Sequence, residues 1–166
     1  MNLNPSHYFL KRYHSPSLSA NELKRMLNFW FPFLVNRIRI IFIADDFYAM
    51  RVMLKHSFWN RNPNKSVWGG SITSALDPFF PVMMKQIMLR KGIRTHFLSK
   101  AVHVEFIRQV ETNIFFQFNI RKEEVINAEK ILNNECKYEN WHIVNGVDTE
   151  GNICVSGKVQ VYLRKK

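Results

Sequence analysis

One stretch, residues 59–89, constrains the fold of this chain more than any other. It begins as a polar loop, passes through Gly69-Gly70 and becomes the most apolar helical pattern in the sequence. Its apolar residues recur at the spacing of one broad helical face. They are Ile72, Ala75, Leu76, Phe79, Phe80, Met83, Met84, Ile87 and Met88. A helix with so wide an apolar face is usually buried, and we therefore expect other elements to wrap around it.

Two prolines, Pro78 and Pro81, interrupt this helical pattern. Proline lacks a backbone N–H and clashes with the preceding turn of a helix. Either the helix kinks at these positions, or a first segment ends near Leu76 and a second begins afresh. In the second case Asp77 would be the N-cap and Pro78 the first helical residue, a favoured combination. The sequence leaves both arrangements open.

The flanks of this stretch alternate apolar and polar residues, as strands with one buried face do. The predicted strands are 35–43, 48–54, 98–107, 112–120, 138–144 and 153–163. Patterns of helical period predict two further helices, 22–31 and 121–134. All the strands can be antiparallel. The predicted fold class is therefore α+β, with a twisted antiparallel sheet curled around one long helix.

The composition limits the domain organisation. A length of 166 residues suits a single domain with a real core, and a hydrophobic content of 46% excludes a disordered chain. We expect an N-terminal arm over residues 1–18 and one domain over 19–166. The first residues contain no apolar signal segment, and no apolar run is long enough to span a bilayer. A cytoplasmic location without a membrane partner is the resulting expectation.

The chain is basic, with a formal net charge of +11. A basic surface attracts polyanions such as nucleic acid, anionic lipid or a phosphorylated cofactor. The cations are spread along the chain, which is typical of an ordinary solvated surface. Nucleic-acid modules combine basic residues with exposed aromatic side chains, whereas most aromatic residues here occupy core-like positions. We therefore predict no nucleic-acid partner.

Motifs for metals and nucleotides are missing from the sequence. The histidines are scattered and show no metal-ligand spacing, and neither a Walker A loop nor a dinucleotide fingerprint occurs. Ser71 lacks the flanking pattern of a nucleophile elbow. The sequence therefore predicts no metal and no resident cofactor.

The order of elements and three short motifs resemble the hotdog superfamily of thioesterases and dehydratases, most closely its uncharacterised thioesterase-like bacterial families. The motifs are Trp59-Asn60-Arg61-Asn62, Gly69-Gly70-Ser71 and Asp77-Pro78. The likeness covers roughly residues 27–164. It implies a hotdog fold, in which an antiparallel sheet wraps a long central helix, and an acyl-CoA thioesterase-like hydrolase.

The resemblance also implies a site. In hotdog thioesterases of the phenylacetyl-CoA type, an Asn precedes a glycine turn and a carboxylate follows on the central helix. The implied catalytic residues here are Asn62, Gly70 and Asp77. Amides at the start of a helix can polarise a thioester carbonyl, and a partly buried carboxylate can activate water. The implied substrate-binding residues are Trp68, Gly69, Ser71 and Ser99; Ser99 would reach the site of a facing subunit.

One departure from the family pattern leaves an alternative open. Many relatives have a His just before the glycine pair, where this chain has Val67-Trp68. The alternative is an acyl or acyl-CoA binding protein of the same fold without catalysis. In either case the implied partner is an acyl-CoA or acyl-carrier thioester, and CoA enters as part of the substrate rather than as a cofactor. The family also implies a homodimer and allows a tetramer.

Overall fold

The computed structural model describes residues 18–166, in which six strands form one antiparallel sheet. The strands are β1 (Ile38–Ile43), β2 (Ala49–Leu54), β3 (Thr95–Phe106), β4 (Ile114–Asn119), β5 (Lys137–Val147) and β6 (Ile153–Lys165). Five α-helices accompany them. They are α1 (Ala20–Asn28), α2 (Phe31–Asn36), α3 (Gly69–Ser74), α4 (Phe79–Arg90) and α5 (Lys122–Glu135), with a short 3-10 helix at Phe58–Asn60.

The spatial order of the strands is β1-β2-β4-β5-β6-β3. Strands β5 and β6 form a long hairpin, and β3 pairs with the other side of β6. Lys100 forms a bulge in β3, where the register against β6 shifts between Ser99 and Ala101. In residues 18–166 the edge strands are β1 and β3, and β3 is twelve residues long. The predicted antiparallel arrangement is confirmed.

The central stretch forms two helices, α3 and α4, which we call the spine. Its predicted apolar face is buried throughout, and every residue of α4 from Phe79 to Leu89 is buried. The break falls near Leu76, as one of the two arrangements predicts. The expected cap is wrong, however: Pro78 itself occupies the N-cap, and Asp77 lies outside the helix without a capping hydrogen bond.

The helix predicted over 22–31 differs most from the structure. Ser19 caps α1 in a capping box with Glu22, and α1 ends at Asn28. Pro32 then occupies the first turn of α2, where proline is tolerated because those N–H groups have no intrahelical acceptor. Residues 35–37 therefore belong to α2 and its end rather than to the predicted first strand.

The core lies between the sheet and the spine. Gly157, in the middle of β6, permits their close approach, because a Cβ there would lie 2.9 Å from both methyl carbons of Leu76. Aromatic rings of α4 and β4 fill the neighbouring space, with the centroids of Phe79 and Phe80 each 5.0 Å from that of Phe118.

Among the described residues, no helix has the length and apolar character needed to cross a bilayer. The predicted N-terminal arm lies outside the described residues except for Leu18, which is buried in the core.

Candidate functional site

A cleft of about 400 Å³ opens beside the first residues of α3. Two loops enclose it: the loop before α3 and the segment that follows β3. Its lining residues are Asn62, Asn64, Ser66, Val67, Gly69, Ile72, Phe106, Ile107, Arg108, Gln109 and Val110. Seven residues are predicted for the site, and two of them, Asn62 and Gly69, are among the described residues that line this cleft.

Asn62 is held by its own loop. Its Nδ2 donates to the Ser66 hydroxyl at 2.9 Å, and its Oδ1 accepts from the Ser66 backbone N–H at 3.2 Å. The backbone repeats the contact, because the Asn62 N–H donates to the Ser66 carbonyl at 2.9 Å. Asn62 therefore reaches the cleft already oriented, and the second Nδ2 hydrogen, which these bonds to Ser66 do not use, could bond a ligand.

Asn60, two residues earlier, fixes this loop to the fold. It is buried, its Oδ1 accepts from the Ser57 N–H, and its Nδ2 donates to the carbonyls of Lys55 and Asn36. The backbone N–H of Trp68 donates to the Asn60 carbonyl at 2.7 Å. Asn60 thus has a structural role that explains part of the Trp-Asn-Arg-Asn motif.

The two glycines face different surroundings. A Cβ on Gly69 would lie 3.2 Å from the Phe106 ring, at the wall of the cleft. A Cβ on Gly70 would lie 2.4 Å from the indole of Trp68, which therefore covers that backbone. Within residues 18–166 no acceptor is found for the N–H of Gly69, whereas the Ser71 N–H donates to the Trp68 carbonyl at 3.0 Å. Gly69 is the glycine whose backbone borders the cleft.

Ser71 lies behind the cleft. Its side chain is buried, and its hydroxyl donates to Asn36 Oδ1 at 2.8 Å. This bond ties the end of α2 to the first turn of α3. Ser71 therefore holds the start of the spine in place rather than facing the cleft.

Asp77 lies at the break in the spine, between the buried residues Leu76 and Phe79. The residue is exposed to solvent, so the expectation of a partly buried carboxylate is wrong. The reason is the break itself, because the two helices leave the intervening turn on the surface. In one chain Asp77 does not belong to the lining of the cleft beside Gly69.

Ser99 lies on the edge strand β3, opposite Val161 of β6. Its Oγ is buried and has no hydrogen-bond partner among the described residues. A buried hydroxyl without a partner is unfavourable by about 1–3 kcal/mol. Ser99 is therefore a position where a group from outside residues 18–166 would satisfy an unmet bond.

One wall of the cleft, the five residues from Phe106 to Val110, is absent from the sequence-based prediction of the site. Phe106 is the last residue of β3, and the Arg108 N–H donates to the Cys154 carbonyl at 3.1 Å. The only available signal is that they lie at the end of a predicted strand and in the loop after it, where binding residues are frequent. In the described part of the chain no group of three or more His, Cys, Asp or Glu side chains could hold a metal ion.

Solved structures of other proteins share this architecture. A protein of unknown function from Pseudomonas aeruginosa, described as a probable thioesterase, superposes with a TM-score of 0.77 at 15% identity, over 92% of this chain and 99% of that one. A protein of unknown function from Chlorobaculum tepidum gives 0.75 at 15% identity, over 92% and 100%. The PaaI protein from the phenylacetic acid degradation operon of Escherichia coli gives 0.60 at 13% identity, over 98% and 96%. A comparison with curated proteins finds no significant match.

The class of protein that this architecture defines is therefore the hotdog fold, as the resemblance of the sequence motifs implies. Within it, residues 20–163 match the model of a family described as a domain of unknown function, DUF4442. The chain belongs to that family.

Proposed function

We propose that this protein hydrolyses an acyl thioester, with acyl-CoA as the substrate, at the start of the spine. The observation that carries the proposal is the cleft in which the Asn62 loop meets the Gly69 backbone at the first turn of α3. The hotdog fold and a structural neighbour described as a probable thioesterase support the same reaction class.

Each residue has a chemical role in this proposal. The N–H of Gly69, and that of Gly70 if the Trp68 indole moves aside, would donate to the thioester oxygen as negative charge develops there. Asn62 would orient the thioester or the attacking water. Asp77 would accept a proton from that water as general base and would return it to the thiolate that departs as the C–S bond breaks. Arg108, exposed at the cleft, is suited to a CoA phosphate.

The proposal includes a homodimer that pairs along β3. Among the described residues, no strand lies beside the outer edge of this twelve-residue strand, and long unpaired edges are natural pairing sites. A second chain beside β3 would also adjoin the partnerless hydroxyl of Ser99. Because Asp77 does not line the cleft of its own chain, we propose that the dimer brings cleft and carboxylate together. A tetramer and a cytoplasmic location stay predictions from the sequence.

The test is thiol release from a panel of aliphatic and aromatic acyl-CoA esters. We expect turnover of at least one ester, and we expect Asp77→Asn to lower that rate by roughly 10²–10⁴-fold because it removes the general base. The matched control is Asp45→Asn, an exposed carboxylate in the β1–β2 turn, which should leave the rate unchanged. Absence of turnover across the whole panel would contradict hydrolysis.

A non-catalytic acyl-CoA binder is the second candidate. The observation that favours it is the lining of the cleft, to which the described residues contribute neither a His nor a carboxylate. Val67, which stands near the usual His position, is buried and donates its N–H to the Val110 carbonyl at 2.8 Å. Thermal stabilisation by CoA esters that remain intact would establish this alternative.

A further inference from the structure

A groove of about 700 Å³ lies between α1 and the edge strand β1, and its charge is of one sign. No carboxylate is found among the described residues that line it. The cations that do are Lys24, Arg25, Arg37, Arg39 and Lys55. Isolated surface cations are ordinary, but five around one groove without a counter-charge create a strongly positive local potential.

The groove is preformed, because α1 is fastened to the edge of β1. Lys24 Nζ donates to the Ile41 carbonyl at 2.6 Å. Asn28 bonds both backbone groups of Ile40, accepting from its N–H at 2.8 Å and donating to its carbonyl at 3.0 Å. These bonds occupy part of the open edge of β1 and fix the spacing between helix and strand.

An apolar ridge borders the groove. It consists of Phe29, Phe31, Leu34 and Val35, all exposed; Phe29 is 77% and Phe31 is 74% accessible. The ridge residues of α2 are exposed because its buried residue is Phe33, whose ring centroid lies 5.3 Å from that of Phe79. With Phe33 turned inward, the other large side chains of this short helix face outward.

Ridge and groove form one continuous surface, because Phe29 and Leu34 belong to both. Exposed apolar patches of this kind mark interaction sites. We propose that this surface docks on an anionic phospholipid bilayer. The groove cations would meet the lipid phosphates, while the ridge enters the boundary between headgroups and acyl chains. Stable anchoring to a membrane generally requires two contributions together, here the attraction of the groove cations and the insertion of the apolar ridge.

This inference departs from the sequence-based expectation of no membrane partner, which depended on the lack of a spanning segment. Peripheral docking needs no such segment. The inference is also independent of the proposed hydrolysis, since it uses none of the residues placed at the cleft.

Other occupants fit this surface less well. A second copy related by a two-fold axis would bring the same cations face to face, which is repulsive. A nucleic acid could stack its bases on Phe29 and Phe31, but it would leave the exposed side chains of Leu34 and Val35 without a partner. A soluble nucleotide phosphate would need the groove but not Phe31 and Val35, which lie outside its lining.

The experiment is co-sedimentation of the full chain with vesicles of phosphatidylcholine alone or mixed with phosphatidylglycerol. We expect binding to the mixed vesicles only, weakened by salt. Arg37→Gln/Arg39→Gln should weaken binding by about tenfold or more, because each cation contributes appreciably near an anionic surface. The matched control, Lys122→Gln/Lys130→Gln, removes the same charge from exposed positions of α5 and should change binding by less than about twofold.

A second pair of variants tests the ridge. Phe31→Ser/Leu34→Ser should also weaken binding by about tenfold. Its control is Ile126→Ser/Ile143→Ser, which removes apolar side chains that are 64% and 66% accessible on other elements. Circular dichroism should show that all four variants fold, since every substituted side chain is exposed.

Three results would overturn the proposal. One is equal binding to both vesicle types. Another is an equal loss in the surface variants and their controls, which would indicate net charge or general hydrophobicity rather than this surface. The third is displacement of the protein from vesicles by a soluble single-stranded oligonucleotide or by 3′,5′-ADP at constant ionic strength, which would assign the groove to nucleotide phosphates.

Discussion

At the scale of single residues, Lys85 is the least expected feature of the core. It lies on the spine helix α4 and is fully buried, with its Nζ 4.8 Å from the centre of the Phe97 ring. Burial, followed by the positive charge of Lys166, lowers the pKa of Lys85 to about 7 from an ordinary 10.5. The helical pattern identifies the apolar residues around this position but gives no sign that a cation is buried among them.

This depressed pKa makes stability depend on pH in the alkaline range. Between pH values of about 7 and 10.5 the unfolded chain holds a proton on Lys85 that the folded chain has lost, so the free energy of unfolding should rise with pH. We expect Lys85→Met to flatten that rise in urea denaturation series. Lys91→Met at the end of the same helix is the control, because the hydrogen bond to Glu129 raises the pKa of Lys91 above that window. If the free energy of unfolding of Lys85→Met rises with pH as steeply as that of the unchanged protein, Lys85 is not the source of the rise.

Glu124 gives a dependence of the same sign at acid pH. Burial alone would raise its pKa, but the contact with His142 Nε2 at 3.0 Å and the hydrogen bonds from Asn140 and Tyr138 outweigh burial and lower it. The carboxylate therefore stabilises the fold above its ordinary value of 4.5, and this contribution is lost as the pH falls through the lower folded value. In acid melting experiments Glu124→Gln should lose part of this pH dependence, whereas its exposed neighbour Glu123→Gln should keep it. An equal pH dependence of stability in the two variants would contradict this role of Glu124.

At the scale of elements, the close approach of β5 to β4 depends on Gly146. A Cβ at this buried position would lie 2.6 Å from Ile114 Cδ1 and from Phe116 Cε1, and both side chains are fully buried. We expect Gly146→Ala to lower the free energy of unfolding by about 1–3 kcal/mol, because an overpacked core cannot relax fully. Asn145→Ala, the exposed neighbour, is the control. A loss below about 0.5 kcal/mol in the glycine variant would show that β4 can move away.

The elements also show what the sequence can predict. Strand β6 begins at Ile153 as expected, because one buried face permits one register. The predicted face of the spine is fully buried because a helix with one broad apolar face can pack in only one orientation. Helix α2 is missing from the prediction because Pro32 reads as the end of a helix, and only the packing of Phe33 on Phe79 shows that it begins a new one.

At the scale of the whole molecule, the site was only partly predictable. Asn62 and Gly69 come from a local motif and lie together in the cleft. Phe106 reaches the same cleft from the far end of β3. The bond between Ser71 and Asn36 joins residues 35 positions apart. Contacts of that kind depend on tertiary packing, which periodicity in one sequence does not encode.

The oligomeric state is also a property of the whole molecule. If the chain pairs along β3, sedimentation should give twice the mass of one chain, and backbone amides throughout β3 should exchange slowly with deuterium. In a monomer the amides that face away from β6 would lack an acceptor strand and exchange quickly. A monomer with alternating fast and slow β3 amides would contradict the dimer.

The proposed hydrolysis requires that the start of the spine receives the thioester group. The most direct measurement is deuterium exchange of the amides of residues 69–76 with and without a non-hydrolysable acyl-CoA thioether, which probes binding whether or not turnover occurs. We predict slower exchange at Gly69 and in the first turn of α3 when the thioether is present, with β1 and β2 unchanged. Unaltered exchange across residues 69–76 at a saturating concentration of the thioether would contradict the claim.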